Sequence, residues 1–409
     1  MGDTLICSER DDQDSRSGRE VNVGTPRRMI HVIGGSEYGG GSVMIAQWAR
    51  AAIDAGWEVD ILASNPRTQA AARAVGAGVV DLDVARRPIR PLRDFVDLIR
   101  LYWFFRNNRY NLVQCHTSKG ALLGRAAATL ARVPVVVATA HGFAFNERSS
   151  QLTIRAITLV ERLAARWCHR ITFVSEFHGR WAAELKIGRQ EQHVVIPNGI
   201  PDIADSVERP RKEVREDLGV DEDEFLIVAH ARLAPQKGLD VLIDALPEAI
   251  AISSRPVRAV IAGEGPDRAV LEDTIRRRDL SKSVTLLGFR SDIADLLAAA
   301  DVIVLPSNWE GLSISLLEAL ASGRPVITTR IGSNVEVTSD GRAALLVERD
   351  DPEALAQAIS RLADDDDLAS QLQSRARNAY VDRYTDTEMN RKYVELYDQL
   401  VPLAGPPRS

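Results

Sequence analysis

Residues 305–319 of the chain read LPSNWEGLSISLLEA. An apolar run ends at Leu305, a turn containing Gly311 follows, and apolar residues then recur at helical spacing from Ile314. This order of short strand, glycine turn and helix is the repeating unit of parallel α/β proteins. Because the first N–H groups of a helix face outward at such a turn, residues 311–313 are predicted to bind an anion such as a phosphate.

The same unit repeats on both sides of this stretch and divides the chain. One α/β series is predicted over residues 29–200 and a second over 225–384, with a linker over 201–224 that is rich in proline and charge. Residues 1–28 are polar and predict a disordered leader, and residues 385–409 contain a helix that could pack back on the first domain. Ligand sites in parallel sheets lie at the carboxyl ends of strands, so two such domains imply a cleft between them.

Length and composition are those of an ordinary globular enzyme. The chain has 409 residues, 45% of them hydrophobic and 26% charged. Its three cysteines stand singly, without zinc or disulfide spacing, so a reducing compartment and no metal site are expected. With no apolar run of about 18 residues and no signal-peptide core, the expected location is the cytoplasm.

Charge is distributed unevenly along the chain. The formal net charge is −6, but residues 1–200 carry 26 Lys and Arg against 19 Asp and Glu, whereas residues 201–409 carry 25 against 38. The basic excess is concentrated in residues 86–189 and predicts either an anionic partner or a solvated arginine-rich face. No aromatic-interleaved motif of a nucleic-acid-binding module accompanies it, so no nucleic-acid partner is expected.

Three charged residues of the second half point to a nucleotide. Arg232 and Lys237 stand five residues apart in a loop that follows a strand, where a guanidinium fork and an ammonium suit a pyrophosphate; the alternative is a solvated basic loop. Glu318 is predicted on an apolar helix face, where an acid needs a partner. That partner is either a pair of ligand hydroxyls or a structural hydrogen bond.

The glycine-rich stretch over residues 34–41 is a weaker signal. It follows the first predicted strand and precedes a helix, so its N–H groups could face an anion. The dinucleotide fingerprint G-x-G-x-x-G is not met, which disfavours binding of a nicotinamide dinucleotide.

Six ordered motifs resemble family four of the retaining, nucleotide-sugar-dependent glycosyltransferases. The resemblance covers residues 29–384, and its motifs are TAHG (139–142), VSE (174–176), IPNGI (196–200), VAHARLAPQKG (228–238), GEGP (263–266) and the pair Glu310 and Glu318. Residues 113–120 and 141–145 look most like members that build bacterial exopolysaccharide or lipopolysaccharide. The resemblance implies the GT-B fold, in which two Rossmann-like α/β domains with mostly parallel sheets face one another across a cleft.

The resemblance also implies roles for individual residues. His141 and Glu310 match residues at the donor sugar and reacting centre, although His141 could instead serve the core or orient the acceptor, and Glu318 matches the acid that binds the ribose. The residues implied to bind the rest of the donor are Gly40, Gly41, Arg232, Lys237, Gly311, Leu312 and Ser313. Many members have Phe-Gly where this chain has Leu312-Ser313. His116 and Lys119 are acceptor-side candidates.

The implied activity is transfer of a sugar, with retention, from a nucleotide diphosphate donor to a glycan or polyprenyl-linked acceptor. A uridine diphosphate sugar is favoured over guanosine diphosphate mannose. Stabilisation of the leaving diphosphate is expected to be the largest contribution. No metal and no cofactor are expected, because the motif regions lack an Asp-x-Asp signature. The alternatives are a nucleotide-sugar 2-epimerase, a sugar phosphorylase or synthase, and a non-catalytic nucleotide-sugar-binding protein.

Residues 86–105 join the basic run RRPIRPLR to an apolar, aromatic-rich stretch. This combination predicts a peripheral contact with an anionic membrane surface, on the inner face of the cell membrane. The alternative is an ordinary amphipathic helix packed on the sheet.

Overall fold

The computed structural model describes residues 27–34, 39–85, 90–116 and 118–404. The predicted leader lies outside these ranges except for its last two residues, which begin the first strand. Within the described residues, the chain forms two sheets whose paired strands all run parallel.

The first sheet belongs to the first predicted α/β series. Its strands are β1 (Arg27–Gly34), β2 (Trp57–Ala63), β3 (Gly78–Val80), β4 (Leu112–His116), β5 (Val135–Ala140), β6 (Arg170–Phe173) and β7 (His193–Val195). The helices are α1 (Gly40–Asp54), α2 (Pro66–Ala74), α3 (Pro91–Asn108), α4 (Ser118–Leu130), α5 (Gln151–Ala164) and α6 (Glu176–Glu184). The order of the seven strands across the sheet is β3-β2-β1-β4-β5-β6-β7.

The second sheet belongs to the second series. Its strands are β8 (Phe225–His230), β9 (Val257–Ala262), β10 (Val284–Gly288), β11 (Val302–Leu305), β12 (Val326–Thr329) and β13 (Leu345–Val347), in the order β10-β9-β8-β11-β12-β13. Its helices, together with one that precedes β8, are α7 (Arg211–Asp217), α8 (Leu239–Ile252), α9 (Arg268–Arg277), α10 (Ile293–Ala299), α11 (Ile314–Ala321), α12 (Gly332–Val337), α13 (Pro352–Asp364), α14 (Asp366–Arg383) and α15 (Asp386–Ala404).

The sequence of β8 shows why the strands could be recognised. All six of its residues, FLIVAH, are buried. A parallel strand that is covered on both faces reads as a continuous apolar run, and β4 and β11 are buried along their whole length in the same way. The predicted architecture of two Rossmann-like α/β domains is therefore confirmed.

The segments outside the two series are packed against them. Part of the predicted linker forms α7, where the buried guanidinium of Arg215 lies 3.0 Å from Asp301 of the second domain. Helix α15 follows the second domain but lies on the first. There the Tyr397 hydroxyl donates to Gln114 Oε1 at 2.6 Å, and α15 contacts both α1 and β5.

Helix α3 contains most of the predicted membrane-surface segment, and residues 86–89 of that segment lie outside the described ranges. One face of α3 is buried through Leu101 and Phe105. The opposite face exposes Leu92, Phe95 and Trp103. The buried face agrees with a helix packed on the domain, whereas the contact with a membrane surface stays a prediction. Among the described helices, none has the length and apolar character that crossing a membrane would require.

Candidate functional site

A cavity of about 600 Å³ lies where the carboxyl ends of the two sheets face each other. Residues of both domains line it, and nine of the residues predicted from the sequence are among them: Gly40, Gly41, His141, Arg232, Lys237, Glu310, Gly311, Leu312 and Ser313. The other three, Glu318, His116 and Lys119, lie elsewhere in the described part of the chain. The structure thus gathers most of the predicted donor site around a single space.

Two helix N-termini meet at this cavity. Helix α1 begins at Gly40 and α11 begins at Ile314, and a Cβ atom added to Gly40 would lie 3.1 Å from Ile314 Cγ1. Ser313 caps α11, because its hydroxyl accepts the N–H of Leu316 at 3.3 Å. The first N–H groups of a helix have no partner within the helix and carry partial positive charge, so the two ends together favour an anion.

Glu310 is the most firmly held carboxylate of the cavity. Its Oε1 lies 2.5 Å from Lys237 Nζ and accepts the Ser307 hydroxyl at 2.8 Å. Its Oε2 accepts Gln236 Nε2 at 3.1 Å. Only 6% of the Glu310 side chain is exposed. Both oxygens are therefore engaged, and the Lys237 ammonium is held at the cavity wall by the charge of this carboxylate.

Gly311 occupies a position that a larger residue could not. A Cβ atom there would lie 1.6 Å from the carbonyl oxygen of His141 and 3.3 Å from the Gly142 nitrogen. Gly142 itself has a φ of 142°, a conformation that favours glycine. The backbones of the two domains therefore touch at the cavity, and the Glu310–Gly311 turn lies directly against His141.

Glu318 has a structural partner that sequence reasoning left open. Its Oε2 lies 2.8 Å from His230 Nε2, at the carboxyl end of β8, and 29% of its side chain remains exposed. It is therefore not enclosed by the leucines beside it on α11. The side chain is therefore partly accessible beside this hydrogen bond, which suits an acid that also accepts ligand hydroxyls.

His141 is partly buried and packs against a group of rings that includes the buried His116. His141 stacks on Trp48, with ring centroids 5.5 Å apart and planes 10° apart. Burial lowers the pKa of His141 to about 4, so its imidazole is neutral at pH 7. His116 is fully buried behind it, and a direct contact with an acceptor is not available to it in this conformation.

Lys119 lines a second cavity, of about 370 Å³, within the first domain. Its Nζ lies 2.5 Å from Asp94 Oδ1 of α3. Arg125 lines the same cavity, and its Nη2 lies 2.9 Å from Glu161 Oε2 of α5. His141 lines both cavities, so the two spaces adjoin at this residue.

Several residues of the site were not singled out from the sequence. His230 and Gln236 lie inside the motif at 228–238, and a polar residue ending a buried strand was a signal for His230. Arg125 and Glu161 are far apart in sequence and gave no signal. Glu147 lines the donor cavity from the loop that follows β5 and is exposed.

Comparison with known proteins agrees with this geometry. Residues 38–202 match the family described as Glycosyltransferase Family 4, and residues 210–379 match Glycosyl transferases group 1. An Escherichia coli protein, UDP-Gal:alpha-D-GlcNAc-diphosphoundecaprenol alpha-1,3-galactosyltransferase, is 31% identical over 77% of this chain and 82% of its own length. A second relative, from Campylobacter jejuni, is N,N'-diacetylbacillosaminyl-diphospho-undecaprenol alpha-1,3-N-acetylgalactosaminyltransferase. It is 26% identical over 80% of this chain and 88% of its own length.

The fold agrees as well. The crystal structure of Anabaena Alr3699/HepE in complex with UDP-glucose superposes with a TM-score of 0.78 at 23% identity, covering 91% of this chain and 99% of that one. Two parallel-sheet domains around a shared cavity are the GT-B architecture, and the matched families and relatives show that this protein is a glycosyltransferase. The chain belongs to glycosyltransferase family 4, as its motifs indicated.

Proposed function

We propose that the enzyme transfers a sugar, with retention, from a uridine diphosphate sugar to a lipid-diphosphate-linked acceptor in cell-surface polysaccharide synthesis. The observation that carries the proposal is the convergence of Arg232, Lys237 and two helix N-termini on one cavity. This arrangement suits two linked phosphates. The UDP and undecaprenol in the names of the E. coli and Anabaena proteins support the choice of donor and acceptor.

In this proposal the diphosphate leaves without a metal ion. Negative charge develops on the diphosphate as the glycosidic bond breaks, and prearranged positive groups stabilise it most when water is excluded. Arg232, Lys237 and the N–H groups at Gly40 and Ser313 supply that charge. The contact between Gly311 and His141 brings the two domains together over the reacting centre.

Retention is proposed to proceed by attack on the face from which the diphosphate leaves, with a donor phosphate oxygen accepting the acceptor's proton. Glu310 is a poor nucleophile here because Lys237, Ser307 and Gln236 occupy its oxygens. Glu147 is the other carboxylate among the described residues lining this cavity. If the proposal is right, Glu147→Gln keeps most of the activity, which double displacement through Glu147 would not allow.

The acceptor is proposed to enter through the first-domain cavity that adjoins the donor cavity at His141. Lys119 and Arg125 place two cations in that cavity, each beside a carboxylate. Cations and carboxylates together suit a ligand that carries both phosphate and sugar hydroxyls. A diphosphate-linked sugar has this chemistry.

The first experiment measures transfer by the purified protein. Radiolabelled UDP-galactose, UDP-glucose, UDP-N-acetylglucosamine and GDP-mannose are each supplied with and without an undecaprenyl diphosphate-linked sugar, in the presence of EDTA. We expect a lipid-linked product only when acceptor is present, from a UDP-sugar, with the donor's anomeric configuration by NMR. An epimer formed without acceptor would identify a 2-epimerase, and donor binding without turnover would identify a non-catalytic protein.

We also propose that α3 and α5 hold the enzyme peripherally on an anionic membrane. Helix α4 contacts both of them, and the side chains that pair with Arg125 and Lys119 come from these same two helices. Large apolar residues are exposed on each: Leu92, Phe95, Val96, Ile99 and Trp103 on α3, and Leu152, Leu159, Val160 and Leu163 on α5. Exposed arginines such as Arg100 and Arg162 accompany them. Apolar side chains flanked by arginine are typical of an interfacial helix.

Vesicle sedimentation tests the membrane contact. The protein is expected to sediment with phosphatidylglycerol-containing vesicles, less so at high salt, and not with pure phosphatidylcholine. The double variant Phe95→Ser/Trp103→Ser should bind at least about tenfold more weakly, because two large apolar side chains no longer leave water. Phe289→Ser is the matched control, since Phe289 is similarly exposed but lies on the second domain. Equal binding by the double variant and the control would refute the proposed surface.

A further inference from the structure

Three histidine side chains form a hydrogen-bonded chain that ends at the donor cavity. His31 of β1 places Nδ1 3.0 Å from Nε2 of His116, which ends β4. His116 Nδ1 in turn lies 3.2 Å from Nε2 of His141. Trp48 covers the His116 and His141 rings. Strands β1 and β4 and the residue that follows β5 thus form one continuous row of imidazoles from the core to the cavity.

All three rings are neutral at pH 7. Burial lowers the pKa of His31 to about 3 and of His141 to about 4, and it lowers the pKa of His116 well below its usual value. A neutral imidazole carries one N–H and one lone pair. His116 can therefore donate to only one of its two neighbours and must accept from the other.

This restriction leaves two arrangements for the whole row. In the first, every ring carries its proton on Nδ1, each donates toward the cavity, and His31 Nε2 is a bare lone pair. In the second, every ring carries its proton on Nε2 and His31 Nε2–H is the end of the row. The proton positions of the three rings are thus locked together.

The surroundings of His31, at the buried end of the row, distinguish the two proton arrangements. His31 is fully buried, and its Nε2 has no hydrogen-bond partner among the described residues. A buried N–H without an acceptor is rarer in proteins than an acceptor left unsatisfied. The first arrangement, with the lone pair at the dead end, is therefore favoured.

The open end of the row then has a defined chemistry. A Cβ atom built on Gly41 would lie 3.7 Å from His141 Nδ1, so this nitrogen faces the glycine loop that lines both cavities. In the favoured arrangement it carries a proton. His141 is then a hydrogen-bond donor toward the cavity rather than an acceptor.

We propose that His31 and His116 are positioning residues that hold His141 as the Nδ1–H tautomer, and that His141 donates this hydrogen bond to an oxygen of the donor sugar. The donor-sugar contact rests on the proposed function, whereas the tautomer does not. The direction of the hydrogen bonds along the row is set by the lack of an acceptor for His31 Nε2 among the described residues. Installing an acceptor there should reverse it.

Two variants of similar shape make the test. His31→Leu keeps an apolar end, so His116 and His141 should keep their protons on Nδ1. His31→Met presents a thioether sulfur, an acceptor only, toward which His116 Nε2–H can turn; His141 then becomes the Nε2–H tautomer. Leucine and methionine exchange at small cost in a core, so a purely structural role predicts the same behaviour from both.

Long-range ¹H–¹⁵N correlation spectra of the full chain report the tautomers, with the seven histidines assigned by single substitutions. We expect Nδ1–H for His141 in the wild type and in His31→Leu, and Nε2–H in His31→Met. We expect kcat/KM for the donor about ten- to a hundredfold lower in His31→Met than in His31→Leu, because a lone pair would face the sugar oxygen.

The dissociation constant for UDP, which carries no sugar, should stay within about twofold among the three proteins. Failure of the wild type to bind UDP would count against the proposed function and leave the tautomer result standing. An Nε2–H tautomer of His141 in the wild type would overturn the inference, as would identical spectra and identical kcat/KM in the two variants.

Discussion

Lys237→Met is expected to lower kcat/KM for the nucleotide-sugar donor by about a hundredfold or more, the size of effect seen when one prearranged charge-stabilising group is removed. The ammonium lies at the wall of the donor cavity, 2.5 Å from Glu310 Oε1. In the proposed function, this cation stabilises the leaving diphosphate while the bond between the sugar and the phosphate breaks. Methionine keeps most of the side-chain volume and removes only the charge and its hydrogen bonds.

Stability and catalysis can be separated in this variant. Removing the ammonium leaves the Glu310 carboxylate nearly buried without a cation, which should cost up to about 3 kcal/mol of unfolding free energy. The double variant Lys237→Met/Glu310→Gln removes the uncompensated charge, so it should regain stability but not activity. Urea unfolding and steady-state kinetics measure the two quantities.

Lys212→Met is the control, because Lys212 pairs with Glu222 at the surface, and 70% of its side chain is exposed. Activity within tenfold of wild type in Lys237→Met would show that the ammonium does not assist the leaving diphosphate.

The parts of the fold and site that could be predicted from the sequence are those encoded by local pattern. The run Phe225–His230 identified a strand because burial on both faces demands continuous apolar residues. The turn at Gly311 identified a helix start because the residues after it recur at helical spacing. Parallel topology then brings strand ends to one edge, which is why Arg232, Lys237 and Glu310 line one cavity.

The parts that could not be predicted depend on contacts between residues distant in sequence. Glu318 was expected to need a partner, but that the partner is His230 follows only from the pairing of β8 beside β11. The row of histidines is a stronger case. His31 lies between the apolar pairs Met29-Ile30 and Val32-Ile33 of β1, and its neighbour His116 is 85 residues away. Only the register of β1 against β4 places the two rings together.

Acidification is expected to unfold this protein before pH 4 is reached. Four histidines are neutral at pH 7 because desolvation lowers their pKa: His31, His116, His141 and His178. Burial lowers the pKa of His178, like that of His141, to about 4. In the unfolded chain these rings titrate near their ordinary value of about 6.5, so between roughly pH 6.5 and 4 the unfolded state binds more protons. Stability is complete above this window and is lost as the pH falls through it.

The size of the loss follows from the number of rings. Each buried histidine contributes a slope of up to about 1.4 kcal/mol per pH unit, so four together approach about 5 kcal/mol per pH unit in the lower part of the window. Over two pH units, a slope of this size removes as much unfolding free energy as a typical domain has in total, about 5–15 kcal/mol. Urea unfolding at pH 7, 6 and 5 measures the slope, and His31→Leu should reduce it by up to about 1.4 kcal/mol per pH unit, because one ring no longer has to be deprotonated to fold. An unfolding free energy that stays constant from pH 7 to 5 would mean that the rings accept protons in the folded state. In that case the row of neutral imidazoles could not hold His141 in a single tautomer.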